Sequence, residues 1–193
     1  MDIEKFTLPI KGQAQCGCGF FVGNHFITAG HVVLECNLPL EIWFNGDKYQ
    51  LEFDNLAKIV YTKELTENCY CGDFAVFAFE NINSPLVLAD YIPTTGQKLN
   101  CITYDTIVSK SGSMPSIFAT DEEIMKVKTT ATVREEQQGN FFACDTDTIL
   151  HKGNSGSPLI DTNNRVVGIL HAGTQIPECC VFQNTISIKQ FMK

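Results

Sequence analysis

The feature that most constrains this chain is a succession of short apolar or alternating runs, each the length of a β-strand and separated by turn residues. The runs are rich in Phe, Val, Ile and Tyr, which favour the pleated surface of a sheet. They cover residues 19–22, 25–28, 41–44, 48–53, 74–79, 98–104, 125–133, 141–144, 157–160, 165–171 and 180–183. Only residues 187–193 suggest a helix, so the sequence predicts an all-β protein with a short C-terminal helix.

The turns between these runs indicate how the strands are connected. Asn45-Gly46 supplies the positive φ angles that a tight hairpin demands, and Gly23-Asn24 separates two apolar runs in the same way. Strands joined by tight hairpins are antiparallel. Roughly a dozen of them are typical of barrels or sandwiches rather than of a parallel sheet.

A break in the pattern divides the chain into two halves. Within residues 82–97 the segments Asn-Ser-Pro, Ile-Pro and Thr-Thr-Gly interrupt the apolar runs. About six strands on each side of this break predict two antiparallel barrels or sandwiches that together form one domain. Residues 1–85 are assigned to the N-terminal half, residues 86–98 to the linker, and residues 99–193 to the C-terminal half with its closing helix.

The overall charge and the apolar runs exclude two classes of partner. A formal charge of -8 repels phosphate backbones, and no basic stripe interleaved with aromatic residues is present, so nucleic-acid binding is not expected. No run approaches the roughly 18 apolar residues that a membrane span requires. A membrane partner is therefore not expected either.

The cysteines and the start of the chain favour a reducing compartment. There are nine cysteines, an odd number, and the first residues lack the basic and apolar regions of a signal peptide. Free thiols and a cytoplasmic location are therefore expected. The pairs Cys16/Cys18 and Cys69/Cys71 are more closely spaced than typical zinc pairs, so no metal and no cofactor are predicted.

The most informative segment surrounds Ser155. Residues 152–158, Lys-Gly-Asn-Ser-Gly-Ser-Pro, run directly into an apolar strand. A serine hydroxyl becomes an effective nucleophile when a base takes its proton and donors stabilise the oxyanion. The glycines let the backbone curl so that successive N–H groups point at one spot, and they admit a substrate carbonyl. The alternative is an ordinary Gly-Ser turn between two strands.

Two further segments supply a candidate base and a candidate acid. His31 follows the small residues Ala29 and Gly30 at the end of an apolar strand, and histidine is the side chain best able to exchange protons near neutral pH. Asp73 precedes the buried run 74–79, where a shielded carboxylate can hold a histidine in one tautomer. Taken alone, each is more often a structural or turn residue.

In the order His, Asp, Ser, these three segments resemble the chymotrypsin-like (trypsin-like) serine peptidase family. Thr-Ala-Gly-His31 resembles that family's Thr-Ala-Ala-His, and Asp73-Phe-Ala-Val is similar to its Asp-(Ile/Leu)-Ala-Leu. Gly153-Asn-Ser155-Gly-Ser-Pro resembles its Gly-Asp-Ser-Gly-Gly-Pro, with the Asn and second Ser closer to bacterial glutamyl endopeptidases. The resemblance covers nearly the whole chain.

The resemblance implies two antiparallel six-stranded β-barrels, and a serine endopeptidase acting on a polypeptide substrate held in the groove between them. It implies that His31 is general base and then general acid, that Asp73 orients it, and that Ser155 forms the acyl-enzyme. The backbone N–H groups of Gly153 and Ser155 would form the oxyanion hole. Asn154 replaces the Asp that pairs with a new N-terminus in members activated by cleavage, so no such activation is expected.

The resemblance also assigns substrate-binding residues. The base of the primary pocket should be Ile149 and Leu150, with no Asp to meet a substrate Lys or Arg, so a trypsin-like preference is not expected. Substrate backbone should pair by β-augmentation with the strand that contains Leu170, His171, Ala172 and Gly173. Medium apolar residues and Gln or Glu at the cleavage site are both left open.

His171 has two interpretations. In glutamyl endopeptidases and picornaviral-type proteases, a His directly after the Gly-Ile pair of this strand helps to select Glu or Gln. His171 comes one residue later, and strand side chains alternate, so without a bulge it points the other way. In that case it braces the region of Asp73.

Two other functions compete with the peptidase. A catalytically silent trypsin-like binding or scaffolding module would keep the barrels, but it has no need of all three catalytic positions together. An esterase with a serine elbow would place Ser155 before a helix, whereas here the serine leads into a strand. A fused or associated sensor or regulatory domain is a further expected partner.

Overall fold

The computed structural model describes residues 2–12, 17–61, 72–106, 124–151, 153–173 and 179–192. These residues are mostly β, as the sequence predicts, and Cys16, Cys69 and Cys71 lie outside them. The strands are β1 (Thr7–Ile10), β2 (Gly17–Val22), β3 (His25–Thr28), β4 (Leu40–Phe44), β5 (Asp47–Leu51), β6 (Leu56–Tyr61), β7 (Asp73–Ala78), β8 (Val87–Leu88), β9 (Lys98–Thr106), β10 (Ile124–Gln138), β11 (Phe141–Thr146), β12 (Pro158–Ile160), β13 (Arg165–Gly173) and β14 (Cys179–Asn184). The α-helices are α1 (Gly30–Cys36) and α2 (Ile186–Phe191), and 3₁₀ turns cover Ile3–Phe6 and Phe53–Asn55.

The C-terminal half forms a closed barrel. Its strands pair in the order β12-β9-β10-β11-β14-β13, and β13 pairs back to β12, so that all six strands close into a ring. All six pairings are antiparallel. This confirms the predicted six-stranded barrel of the second half. Strand β8, from the predicted linker, adds a parallel pairing to β13.

The N-terminal half is a five-stranded sheet with a separate hairpin. The sheet has the order β1-β2-β3-β7-β6, and the hairpin consists of β4 and β5. A single bridge, between Lys11 and Glu41, links the end of β1 to the hairpin. Among the described residues these pairings do not form a ring, so a second closed barrel is not confirmed.

Three strands, β1, β6 and β8, and the helix α1 were not predicted from the sequence. Strands β1 and β6 are the two edges of the N-terminal sheet, where a proline (Pro9) and half-exposed side chains are tolerated but obscure the strand pattern. Helix α1 has seven residues, and it buries Val32, Val33 and Cys36 against the core. No helix in the described ranges is long and apolar enough to span a membrane.

The two halves have cores of different composition. Around Phe21 the N-terminal core is aromatic, with ring centroids 5.0 Å from Phe26, 5.2 Å from Phe44 and 5.7 Å from Phe79. The barrel core contains one stacked aromatic pair, Phe142 and Phe182, together with aliphatic side chains and the buried thiols Cys101, Cys144 and Cys180. Burial raises the pKa of Cys101 well above its usual value, so this thiol is protonated and unreactive at neutral pH.

Candidate active site

His31 and Asp73 meet through two hydrogen bonds at the end of the N-terminal sheet. Strand β3 ends at Thr28, and His31 lies in the first turn of α1, while Asp73 is the first residue of β7. The backbone N–H of His31 donates to Asp73 Oδ1 at 2.8 Å, and His31 Nδ1 lies 2.6 Å from Asp73 Oδ2. Because an ionised carboxylate only accepts, Nδ1 must carry the proton. The lone pair of His31 is therefore on Nε2.

Gly30 permits this contact by its lack of a side chain. A Cβ at Gly30 would lie 2.4 Å from the carbonyl oxygen of Val60 and 3.2 Å from Asp73 Oδ1. Any larger residue would push α1 away from β6 and from the carboxylate. The small residue before His31 is therefore required for backbone packing as well as for access to the imidazole.

The environment of Asp73 keeps its carboxyl ionised. Its side chain is 1% exposed, and its backbone N–H donates to Gln183 Oε1 at 2.5 Å. Burial alone would raise the pKa of Asp73, but hydrogen bonds from His171 and His31 outweigh burial and lower it to about 2. Gln183 is fully buried in strand β14. Gln183 is a polar residue in an apolar run, and this is the one feature of the sequence that indicates its contact with Asp73.

The same electrostatics increase the basicity of His31. Burial favours the neutral imidazole, but the hydrogen bond and the charge of Asp73, together with the charge of Glu35, raise the pKa of His31 above its usual value. The ring remains 15% exposed. An imidazole with a raised pKa and an accessible edge is suited to accept a proton and return it.

His171 reaches the same carboxylate from the C-terminal barrel. Its Nδ1 lies 2.5 Å from Asp73 Oδ2, the oxygen that also contacts His31. In the pairing of β13 with β14, Leu170 faces Phe182 and Ala172 faces Val181. His171 is therefore the extra residue of a β-bulge. Its side chain contacts Asp73, as expected, although this contact was expected only without a bulge.

The loop of Ser155 is fastened to the N-terminal half by its backbone. The carbonyl oxygen of Ser155 accepts a hydrogen bond from Cys18 N at 2.7 Å, and Gly156 N donates to Leu170 O at 2.8 Å. Ser155 is thereby held beside the end of β3, just before the helix α1 that carries His31. Among the described residues the Ser155 hydroxyl has no hydrogen-bond partner, and no hydrogen bond joins it to the His31 ring. Catalytic hydrogen bonds are often long before substrate binds.

We expect the Gly156→Ala substitution to destabilise the protein by about 3 kcal/mol or more. Gly156 has a φ of +88°, and a Cβ there would lie 2.0 Å from Cys18 O and 2.5 Å from Thr28 Oγ1. Gly46 is a matched control, because its φ is +89° and a Cβ there would have no atom within 4 Å. Gly46→Ala should cost only the backbone strain, about 1–2 kcal/mol. Equal losses of unfolding free energy in chemical denaturation would contradict the close packing of this loop.

Asn154 fixes the shape of the same loop. Its buried side chain accepts a hydrogen bond from His151 N and donates one to Tyr104 O, each at 2.6 Å. Its own carbonyl accepts from the Ser157 hydroxyl at 2.6 Å. From the motif alone, Asn154 indicates only the loss of a charge. The structure gives it a positioning role that the motif alone does not reveal.

The predicted substrate-binding residues are only partly brought together. Ile149 is 51% exposed, whereas Leu150 and Leu170 are buried in the core of the C-terminal barrel. Gly173 lies directly against Leu150, since a Cβ at Gly173 would be 2.5 Å from Leu150 O. Ala172 is half-buried beside it on β13. The two segments are therefore neighbours, but the side chain of Ile149 faces solvent.

One cluster of the described residues has the composition of a metal site. The ligating atoms of His31, Asp73 and His171 lie within 4.8 Å of one another. Both imidazole nitrogens, however, already lie 2.5–2.6 Å from Asp73 Oδ2. Ligands of a tetrahedral zinc lie roughly 3.3 Å apart, as its bond lengths require. The observed separations fit hydrogen bonds better than a shared ion.

Solved structures share this fold at low sequence identity. The Glu endopeptidase solved in complex with MPD has a TM-score of 0.70 and 17% identity, over 98% of this chain and 89% of that chain. For the active form of the Rv3671c protease from M. tuberculosis, the TM-score is 0.67 at 19% identity, with 98% and 80% covered. The scabies mite inactivated protease paralogue S-D1 has a TM-score of 0.70 at 15% identity, with 100% and 94% covered. At these identities, the likeness establishes the fold alone.

The family follows from the sequence itself. A search of curated proteins gives no significant match. Residues 17–169 match the trypsin-like peptidase domain, a span that contains His31, Asp73 and Ser155. The match covers most of the chain and confirms the resemblance inferred from the three motifs. This chain therefore belongs to the trypsin-like peptidase domain family.

Proposed function

We propose that this protein is a serine endopeptidase that cleaves peptide bonds through an acyl-enzyme on Ser155. The observation that carries the proposal is the paired hydrogen bonding of His31 to Asp73, through the backbone N–H and through Nδ1. That pairing fixes both the tautomer and the orientation of the imidazole. A base held in this way is what a serine nucleophile requires.

In the proposed reaction, His31 Nε2 takes the proton of the Ser155 hydroxyl as the oxygen attacks the substrate carbonyl. Asp73, ionised and buried, stabilises the imidazolium that forms. His31 then gives its proton to the leaving amine, and the acyl-enzyme remains on Ser155. A water molecule, activated by the same imidazole, hydrolyses the acyl-enzyme and regenerates the hydroxyl.

The backbone of the Ser155 loop supports an oxyanion hole. Within the ranges that the structure describes, the N–H groups of Asn154, Gly156 and Ser157 donate to protein carbonyls. The N–H groups of Gly153 and Ser155 have no such acceptor there. Two unpaired donors on either side of one residue are suited to stabilise a developing oxyanion. We assign them that role.

Strand β13 supports the binding of an extended peptide. Its backbone pairs with β12 as far as Ile169, and Leu170 exchanges hydrogen bonds with Gly156 and Ser157. From His171 to Gly173 the described pairings are with β14 alone. As far as the structure describes the chain, the opposite edge is unpaired, and a substrate strand can pair with it. Neither Ile149 nor Leu150 carries the negative charge that a Lys or Arg side chain would require.

A catalytically silent module is the second candidate. The absence of a hydrogen bond between Ser155 and His31 among the described residues favours it, as does the similarity in fold to an inactivated protease paralogue. Such a protein would bind peptides on β13 without cleaving them. The two candidates differ in whether the Ser155 hydroxyl is nucleophilic.

A fluorophosphonate probe separates the two candidates, because it reacts covalently with activated serine hydroxyls. We expect stoichiometric labelling at Ser155, located by peptide mass spectrometry, and no labelling of Ser155→Ala. Ser84→Ala is the matched control, since Ser84 is a buried serine whose hydroxyl accepts a hydrogen bond from Leu86 N. It should label like the unmodified chain. An intact, folded protein that is not labelled would favour the binding module.

A further inference from the structure

Two imidazoles share one oxygen of the buried carboxylate. His31 Nδ1 lies 2.6 Å and His171 Nδ1 lies 2.5 Å from Asp73 Oδ2, while the backbone N–H of His31 occupies Oδ1. The two rings meet edge to face, with centroids 5.7 Å apart. His171 comes from a bulge in the C-terminal barrel, and the other two residues belong to the N-terminal half. The carboxylate of Asp73 therefore accepts hydrogen bonds from three N–H groups.

We propose that His171 is a positioning residue that shares Asp73 with His31 and thereby lowers the affinity of His31 for its proton. This inference rests on the proposed role of His31 as the catalytic base. It adds a residue that acts on the base through the carboxylate. His171 has this role in addition to any contact it makes with a substrate.

The direction of the effect is the same for both protonation states of His171. A neutral His171 donates its Nδ1–H to Oδ2, which disperses the negative charge that would stabilise an imidazolium at His31. A cationic His171 adds direct repulsion between the two rings. Removing the His171 side chain therefore raises the proton affinity of His31.

Other groups lie close to His31, His171 and Asp73, but their effects on the proton affinity of His31 can be separated from that of His171. Glu35 on α1 contributes a negative charge near His31, and the Tyr61 ring on β6 lies 6.2 Å away from the His31 ring. On β11 the Phe141 ring lies 5.0 Å from His171, and Gln183 on β14 binds the backbone N–H of Asp73. Each of these groups is retained when His171 is replaced.

The proposal is tested by NMR titration of the ring Cε1–H signals in a Ser155→Ala background, where no hydrolysis interferes. We expect His171→Ala to raise the titration midpoint of His31 by about 0.5 to 1 pH unit, the size of one hydrogen bond. His171→Asn should produce less than half of this shift, because its amide N–H can still donate to Asp73. His25→Asn, at the far end of β3, should leave the midpoint of His31 unchanged.

An unmoved His31 midpoint in folded His171→Ala would overturn the proposal. If that variant does not fold, His171→Phe takes its place, because a phenyl ring fills the position of the imidazole and donates no hydrogen bond to Asp73. The His31 midpoint should rise by the same amount in that variant, and an unmoved midpoint would overturn the proposal. Because the NMR titration requires no peptidase activity, it tests the role of His171 even if the protein is not a peptidase. Failure of this proposal and failure of the proposed function are therefore distinguishable. In the active enzyme, the acid limb of kcat/KM should shift by the same amount.

Discussion

Replacing Ser155 with alanine is expected to lower kcat for peptide hydrolysis by about 10⁶-fold, the loss typical of removing the nucleophile from such a catalytic unit. Without the hydroxyl no acyl-enzyme forms, and the remaining groups provide only binding and oxyanion stabilisation. The measurement is kcat on a peptide found by digesting a proteome-derived peptide library with the unmodified protein. The same digestion reports which residue precedes the cleaved bond.

The stability of Ser155→Ala provides the control for that prediction. Within the described residues, the Ser155 hydroxyl accepts and donates no hydrogen bond, so its loss leaves no buried group unpaired. Its backbone carbonyl, which accepts from Cys18 N, is retained. The Tm and circular dichroism spectrum should therefore match those of the unmodified chain. A folded variant that retains activity within about tenfold would assign the chemistry to another residue.

The catalytic candidates were predictable because each depends on local sequence. Gly30 before His31 and Gly156 after Ser155 both lie against backbone atoms of other strands. Because this packing admits only glycine at these two positions, the motifs around His31 and Ser155 can be recognised in a short stretch of sequence. Asp73 begins a fully apolar strand, which marks a buried acid. The closed C-terminal barrel was predictable for a related reason. Its strands carry clear apolar runs.

The contacts between the halves were not predictable in the same way. The bulge at His171 depends on how β13 and β14 pair, a register that single-sequence patterns do not determine. Strict alternation directs His171 toward Asp73, and the structure has this contact although a bulge interrupts the alternation. The contact of Gln183 with the backbone of Asp73 joins residues 110 positions apart. No local motif predicts a contact between residues so far apart in the sequence.

Replacing Asp73 with asparagine is expected to lower kcat by about 10⁴-fold at neutral pH, because it forces the wrong tautomer on His31. If the amide oxygen of Asn stays on the backbone N–H of His31, its NH₂ group faces the ring Nδ1 atoms of both histidines. Those nitrogens must then accept, so the ring protons move to Nε2. An Nε2–H cannot take the proton of Ser155.

The opposite orientation of the amide does not rescue the site. The NH₂ group would then face the backbone N–H of His31, which would leave two donors opposed in a buried position. Ring ¹⁵N chemical shifts report the tautomer directly, and we expect the proton of His31 to move from Nδ1 to Nε2 in Asp73→Asn. Asp90→Asn is the control, because Asp90 is an exposed acid that pairs with Lys189. A variant with the proton still on Nδ1 and nearly full activity would mean that Asp73 does not orient the base. In that case the buried carboxylate, with its histidine on each side, would be a structural link between the two halves of the fold.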